Sequence, residues 1–525
     1  MTKYLLSRVL RGLLSIIAVV LIVMVLIYSL MNRELIFASD ALYSKKNSNA
    51  KIIYRYEQWE KYGYLDYVTY QDWLKEQTKA GVIDEETRAS VASIARKAAN
   101  EKEEVQAYVD QFTAYYESQG YEVTRLDAQM LTPQKVLDGG QQQLFAAKDI
   151  PVAKRLLNYF KNLISIDSIH YVDDSIDIGE RGLTFTWYDP LYGGEKFSPA
   201  IMGNGTLHKY LLYCDDQFPY IHQNLITVNM GVSYSVNQGV DVFDTMTKTQ
   251  GSYVKSDTIY PTGLRISSAD DLHSATYSEG SLATNELLQE RFTDDYTVTF
   301  TVKNGKSKMG YSFLIGIIAV ALSYLLGVPI GIVQAVRKDK LFDKIGTVYI
   351  VFVLAIPSLA YIFLFKSVGG KLGLPTTFNV DTPTKLMYVL PIISLALPSV
   401  AVLMKWLRRY MIDQMNSDYV KFARSGGLSE GEIFTKHILK NAAIPLIHSI
   451  PADVLGALVG AIITERVYVV PGAGNLLTKA INLYDNGVIV GVTLFYATLS
   501  VVSLILGDIL MAIVDPRISF NTKAR

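Results

Sequence analysis

Residues 309–335 read MGYSFLIGIIAVALSYLLGVPIGIVQA, 27 consecutive residues without a charged side chain. About 20 apolar residues in a helix are enough to cross the hydrocarbon core of a bilayer. A charge near the bilayer centre costs about 2.5–3.5 kcal/mol on insertion scales, so a run of this length is not chance. Leu13–Leu30, Ile345–Phe365, Leu386–Met404 and Gly487–Gly507 are also free of charge, and Ala442–Ile463 is apolar apart from His448 and Asp453. Six such segments predict an α-helical integral membrane protein with six transmembrane helices. Six buried helices of a soluble protein are the less economical reading.

The overall balance of 50 Lys and Arg against 50 Asp and Glu hides two populations. Met31–Lys308 carries 28 basic against 38 acidic residues, and the rest of the chain carries 22 against 12. Such asymmetry separates compartments or partners. Short loops decide orientation through their Lys and Arg. With the N-terminus inside, 17 basic residues fall in inner segments and 5 in short outer loops. Both termini are therefore expected in the cytoplasm, with residues 1–32 a cytoplasmic start and first helix. Residues 33–308 form an extracellular insert, and 309–525 form the membrane core with an inner loop at 405–441. The first apolar run exceeds a usual signal-peptide core and is followed by Met31, Asn32, Arg33 and Glu34, so it reads as a retained anchor. The single cysteine, Cys214, cannot form an intrachain disulfide, so an outer region this large must rest on its own core. That suits a bacterial envelope.

The insert reads as a folded α+β domain, rich in Tyr, Trp and Phe and without long Gly/Ser or Pro tracts. Asp84–Gly120 reads as one helix, led by acidic residues and ended by Gly. Thr297–Val302 alternates as a strand, and YDPLYGG, NGT and PTG read as turns. His170, His208, His222 and His273 lack metal spacing, and no nucleophile elbow occurs. Asp173, Asp174, Asp177 and Glu180 lack the Gly and terminal Glu of an EF-hand, so they read as a solvated acidic loop. Gly305-Lys306-Ser307 imitates the end of a phosphate loop, but Phe300 stands where its first Gly belongs.

The most informative polar stretch is residues 418–445, DYVKFARSGGLSEGEIFTKHILKNAAIP. It predicts two short helices broken at Gly426-Gly427, with Ser429 capping the second and Glu432 as its capping-box partner. Ile433, Phe434 and Ile438 among polar neighbours leave a surface that wants a partner. Physics alone leaves open a helix lying on the membrane surface and an elbow that fills a groove on a soluble protein.

Here a resemblance becomes specific. Ala423, Gly427, His437, Ile438 and Asn441 match the loop of ABC importer permeases that runs Ala, three residues, Gly, then His-Ile and Asn. The family's leading acidic residue is replaced by Lys421. The start, KYLLSRVLRGLLSIIAVV, resembles that of oligopeptide and dipeptide permeases. Asn229-Met230-Gly231-Val232-Ser233 resembles their Asp-Leu-Gly-x-Ser motif, with Asn for Asp. Val470–Leu477 resembles their outer Pro-Gly-x-Gly-x-Leu-Leu turn, and Asp508 with Asp515-Pro516-Arg517 matches their closing motif. The insert departs from the usual short first loop and resembles the enlarged oligopeptide permeases of streptococci and lactococci.

The resemblance implies the type I importer fold and a chain that is not itself an enzyme. It implies a second permease subunit, two ATPase subunits that carry the ATP and Mg, a peptide-binding lipoprotein and an oligopeptide substrate. No cofactor is expected on this chain, and no nucleic acid. Phe422, Ala423, Arg424, Gly427, Leu428, Ser429, Glu430, Ile433, His437 and Asn441 are the expected ATPase-coupling residues. His437 satisfying a local carbonyl is an equal alternative. His448, Asp453 and Glu465 are candidates for the translocation pathway, because ionisable residues within spans usually are. Gly327, Pro329, Gly331, Pro357, Pro391, Pro398, Pro445 and Pro451 loosen or kink the spans, for motion or for packing alone. A docking or supporting role for the insert competes with a plain collar around the pore mouth. A receptor would need a larger inner domain, and a secondary transporter its own coupling-ion sites. Neither is present in the sequence.

Overall fold

Pro357 separates two helices that the sequence joined. In the computed structural model Leu341–Ala355 and Ser358–Lys371 meet at a bend of 107°. Proline lacks an amide donor and drives the residue before it out of the helical region. Ile356 accordingly lies at φ −82°, ψ 132°. The expected straight span Ile345–Phe365 is therefore a broken pair. Among the described residues, five other helices are long and apolar enough to cross a membrane: Leu6–Leu30, Lys308–Val336, Lys385–Met415, Glu430–Tyr468 and Asn486–Val514. Counting the bent pair as one span gives six.

The structure describes residues 2–95, 100–126, 144–166, 168–169, 171, 175–188, 194–195, 197–206, 210–214, 219–221, 226–261 and 296–514. The chain divides into two units, Met24–Asn162, and Met1–Val23 together with Leu163–Arg525. The expected insert 33–308 is thus shared between them, and its second half groups with the membrane helices.

In the Met24–Asn162 unit, Leu144–Asp149 is the middle strand of an antiparallel sheet between Leu65–Thr69 and Glu122–Arg125. Its residues Leu144, Phe145, Ala146 and Ala147 are buried, which suits a strand covered on both faces. Tyr70–Lys79, Glu85–Val91 and Glu103–Ser118 pack there through Tyr70, Trp73, Leu74, Val91, Val105 and Phe112. Where a single helix was expected over Asp84–Gly120, the described residues form the separate helices Glu85–Val91 and Glu103–Ser118. The break is held from a distance: Glu101 accepts from the Ala95 amide, and Arg125 bonds both Glu101 (2.6 Å) and the Ala95 carbonyl (2.9 Å). Folding back lets Val91 and Phe112 enter one core.

In the other unit, Gly182–Tyr188, Phe197–Asn204, Tyr210–Cys214 and Pro219–Ile221 form a four-stranded antiparallel sheet in chain order. Tyr253–Pro261 pairs with Tyr296–Lys303, which contains the strand expected at 297–302. Gly205, at φ +83°, makes the expected Asn-Gly-Thr turn between strands. Ser307 caps the 308–336 helix by accepting from the Gly310 amide at 3.0 Å, so Gly305-Lys306-Ser307 is a helix start. Among the membrane helices, 308–336 and 389–415 approach closely. A Cβ on Gly327 would lie 3.0 Å from Leu403 Cβ, and one on Gly331 would lie 3.3 Å from Leu407 Cβ. These two glycines serve packing of the small-xxx-small kind. Arg8 on the first helix bonds Asp508 on the last at 2.8 Å.

Candidate coupling elbow and membrane cleft

The elbow begins where the Asp418–Ser425 helix runs out of partners for its last carbonyls. The amides of Gly426 and Gly427 bond Phe422 O (2.9 Å) and Arg424 O (3.1 Å), and Leu428 N bonds Ala423 O at 3.3 Å. Gly427 lies at φ +81°, the left-handed conformation that ends helices and favours glycine. Ser429 and Glu432 then form the full capping box, opening Glu430–Glu432. The next turns, Ile433–Leu439, are wound more widely as a π-helix before Lys440–Tyr468 resumes α geometry. Such π segments are rare and concentrate at functional places.

The elbow is fastened in two ways. Val420, Ala423, Ile433 and Ile438 are buried against Leu403, Leu407, Met411, Ala442 and Leu446. A polar knot lies beside them: Asn441 Nδ2 donates to the His437 carbonyl (2.8 Å) and to the Tyr419 hydroxyl (3.0 Å). Tyr419 in turn donates to Gln414 Oε1 at 2.5 Å. Arg424 spans the two glycines and grips Glu430 with two bonds, Nε to Oε1 at 2.6 Å and Nη2 to Oε2 at 3.0 Å. At its outer end the Lys421 ammonium, 2.9 Å from Asp418, holds that carboxyl below its ordinary value. Deeper in, Arg408 forms a bidentate pair with Asp343, at 2.6 and 2.7 Å, and Asp343 is 3% exposed.

This geometry corrects part of the expected contact set. Ile433 is fully buried and Ala423 nearly so, which turns both towards this chain's own core; they hold the elbow in place and do not face a partner. An amphipathic stripe tells that a face is covered but not by what, and here the 389–415 helix covers it. Asn441 and the His437 backbone belong to the knot. Phe422 (79% exposed) and Leu428 (37% exposed) remain turned outwards, with Arg424, Gly427, Ser429 and Glu430 exposed around them.

The three candidates for the pathway part company. Asp453 lines a cleft of 410 Å³ between the 308–336, 358–371, 389–415 and 440–468 helices. Its Oδ2 accepts from Tyr324 Oη (2.6 Å) and Ser449 Oγ (3.0 Å). His448, five residues earlier, lies about 140° round the helix. It packs on Gly507 of the last helix, where an added Cβ would come within 3.1 Å of its ring. Glu465 is fully buried and is not among the residues that line this cleft. It accepts from Ser312 Oγ (2.5 Å) and the Asn475 amide (3.0 Å), at the N-terminus of the Ala473–Asn482 helix where a carboxylate is favourable. The Pro-Gly-x-Gly turn follows from it: a Cβ at Gly472 would meet the Glu465 carboxylate at 2.4 Å, and one at Gly474 would meet Ile462 Cα at 2.7 Å.

One carboxylate escaped the sequence reading. Asp485 is fully buried and its Oδ2 accepts from Ser233 Oγ (2.7 Å), Ser235 N (2.9 Å) and Val236 N (2.8 Å). Gly487 lets the loop close, since a Cβ there would lie 2.2 Å from Val232 O. The Gly-x-Ser part of the 229–233 motif is thus the half of a clip whose other half is 252 residues away. His170, His208, His222, His273, Asp173, Asp174 and Asp515-Pro516-Arg517 lie outside the described residues. No group of three metal-binding side chains occurs among the described residues.

The class of membrane protein to which a helix bundle with this capped Gly-Gly elbow belongs comes from its relatives. The family model described as "Binding-protein-dependent transport system inner membrane component" matches residues 327–520. The oligopeptide transport system permease protein AmiC of Streptococcus pneumoniae serotype 4 is 35% identical over 532 residues, covering 100% of this chain and 99% of that protein. The dipeptide transport system permease protein DppB of Bacillus subtilis is 29% identical over 213 residues, 40% of this chain and 68% of that protein. A chain of a solved amino acid ABC transporter is similar over 40% of this chain and 92% of its own, at 16% identity and a TM-score of 0.32, which decides nothing about the fold. The chain belongs to the oligopeptide/dipeptide permeases of ABC importers. It is a multi-pass protein of the plasma membrane and a transport subunit by family.

Proposed function

We propose that the chain forms half of the translocation pathway of an ATP-driven oligopeptide importer and takes its driving motion through the 418–441 elbow. The exposure of Phe422 and Leu428 on an otherwise anchored elbow carries this reading. An exposed Phe on a structure held by a buried stripe, a polar knot and an ion pair suits a rigid knob for a groove on another protein. The relative of nearly full length is named as an oligopeptide permease, which supports the substrate class. The partners are a second permease, two cytoplasmic ATPase subunits that bind and hydrolyse ATP, and a peptide-binding lipoprotein outside. Both termini and the elbow lie in the cytoplasm. Residues 33–308 lie outside and dock or support the lipoprotein, where their excess of ten acids favours a basic docking face. ATP binding closes the ATPase pair and moves the elbow. The buried stripe hands that motion to the 389–415 and 440–468 helices, between which the Asp453 cleft lies.

The test is ATP-dependent uptake of a labelled oligopeptide by the reconstituted complex, with Phe422→Ala and Gly427→Arg beside wild type. Both variants leave the buried stripe intact. Uptake falling to background in complexes that still fold and carry the partner permease supports the elbow as the joint. Unchanged uptake in both removes it.

A further inference from the structure

Asp453 is an incompletely bonded carboxylate close to the middle of the Lys440–Tyr468 helix. Both hydroxyls that reach it, from Tyr324 and Ser449, bond the same oxygen, Oδ2. Oδ1 has no hydrogen-bond or ionic partner among the described residues. The cleft in front of it contains no Lys, Arg or His among its lining residues. A carboxylate at membrane depth is costly unless it is paired, and such groups are retained where they meet a cargo or a partner. The same cleft holds two more polar groups in waiting: the hydroxyls of Ser358 and Tyr361 line it and make no hydrogen bond among the described residues.

We propose that Asp453 receives the α-ammonium group of the peptide in transit, with Ser358 and Tyr361 bonding the first peptide unit. The inference rests on the importer reading and adds the chemical group recognised and the residue that recognises it. The α-amino group has an ordinary pKa of about 7.7–8.0, so it is mostly protonated at neutral pH. Every unblocked peptide presents one whatever its side chains, so a lone carboxylate recognises the end of the cargo without restricting its sequence. Tyr324 and Ser449 fix Oδ2 and leave Oδ1 directed to the incoming cation. The volume of 410 Å³ suits the first few residues of a peptide, about two or three, and not a long oligopeptide, which makes this an end-recognising subsite. The bend at Pro357 places Ser358 at the start of a helix on the wall of the cleft, so the broken span contributes to the site.

The experiment uses the full complex with its binding protein and compares a peptide bearing a free amino terminus with the same peptide N-acetylated. Affinity of the binding protein for each peptide is measured separately, so that its own selectivity is divided out. Wild type is expected to move the free peptide about 10- to 100-fold faster, the range of one charge-assisted hydrogen bond. Asp453→Asn should bring that ratio close to one, and Asp453→Glu, which keeps the charge, should retain most of it. A ratio unchanged in Asp453→Asn overturns the proposal. So does an equal loss of both peptides with the complex assembled, which would make Asp453 the partner of a basic residue on a neighbouring subunit. Both of those outcomes leave the importer reading standing. Failure of wild type to move either peptide defeats the importer reading, and this inference with it.

Discussion

Asp485→Asn should free the 231–237 segment from the turn that opens the last helix, by an amount set by the bonding pattern. Three donors converge on one oxygen, Ser233 Oγ, Ser235 N and Val236 N at 2.7, 2.9 and 2.8 Å, while Val488 N reaches the other at 3.2 Å. A hydrogen bond to a charged acceptor contributes about 1.5–3 kcal/mol and a neutral one about 0.5–1.5 kcal/mol, so neutralisation costs about 1 kcal/mol per bond. Across three bonds the loss is about 3 kcal/mol, and local opening rises about 150-fold. The amide also brings an NH₂ group to face either the loop donors or Val488 N–H, which adds to the loss. Hydrogen exchange of the Ser235 and Val236 amides in the assembled complex reads this directly. Ser233→Ala should have a smaller effect, about 2 kcal/mol, because it removes the bond to Asp485 and the one that Ser233 Oγ accepts from Asn237 N at 2.9 Å. The double variant should fall short of the sum by at least about 0.5 kcal/mol, since both changes break one shared contact. Exchange within threefold of wild type for Asp485→Asn would refute the clip.

Arg408→Ala should destabilise the elbow end by about 3–5 kcal/mol, because it leaves the buried Asp343 carboxylate without its bidentate partner. Arg408→Lys should recover only part of that in a thermal melt of the purified complex, since an ammonium cannot reproduce the fork. Arg424→Ala should leave the melt close to that of wild type, because both partners of that pair are exposed and solvent screens them. Gly427→Ala should cost about 1–2 kcal/mol of local stability from its positive φ and nothing from crowding, as no atom lies within 4 Å of an added Cβ. Gly474→Ala should cost at least about 1–3 kcal/mol, because its Cβ would meet Ile462 Cα at 2.7 Å and displace the turn from Glu465.

What was legible in the sequence was local. Charge-free runs of helical length mark the spans, Gly426-Gly427 marks the elbow, and Ser429 with Glu432 marks the cap, because each depends on residues a few positions apart. The structure adds what distant residues decide. Asp84–Gly120 is broken because Arg125 and Glu101 bind the Ala95 backbone, which no propensity in that segment foretells. Ile433 looked like a docking residue because its stripe is apolar; which helix covers a stripe is a tertiary fact. Glu465 looked like a pathway group because it is ionisable, yet its oxygens are absorbed by Ser312 and the turn after it. Pro357 announced a kink, and only the geometry shows that it amounts to a bend of 107°.

The central claim is that the elbow presents Phe422 to an ATPase subunit while Ile433 faces inwards. Cys214 is the single cysteine, so Cys214→Ser provides a clean background for site-directed crosslinking. A short thiol-to-amine reagent applied to Phe422→Cys should join the chain to the ATPase subunit, with a yield that changes when ATP is added. Ile433→Cys should give little product until the protein is unfolded. An Ile433→Cys product equal to that from Phe422→Cys, or no Phe422→Cys product in a complex that transports peptide, would contradict the account.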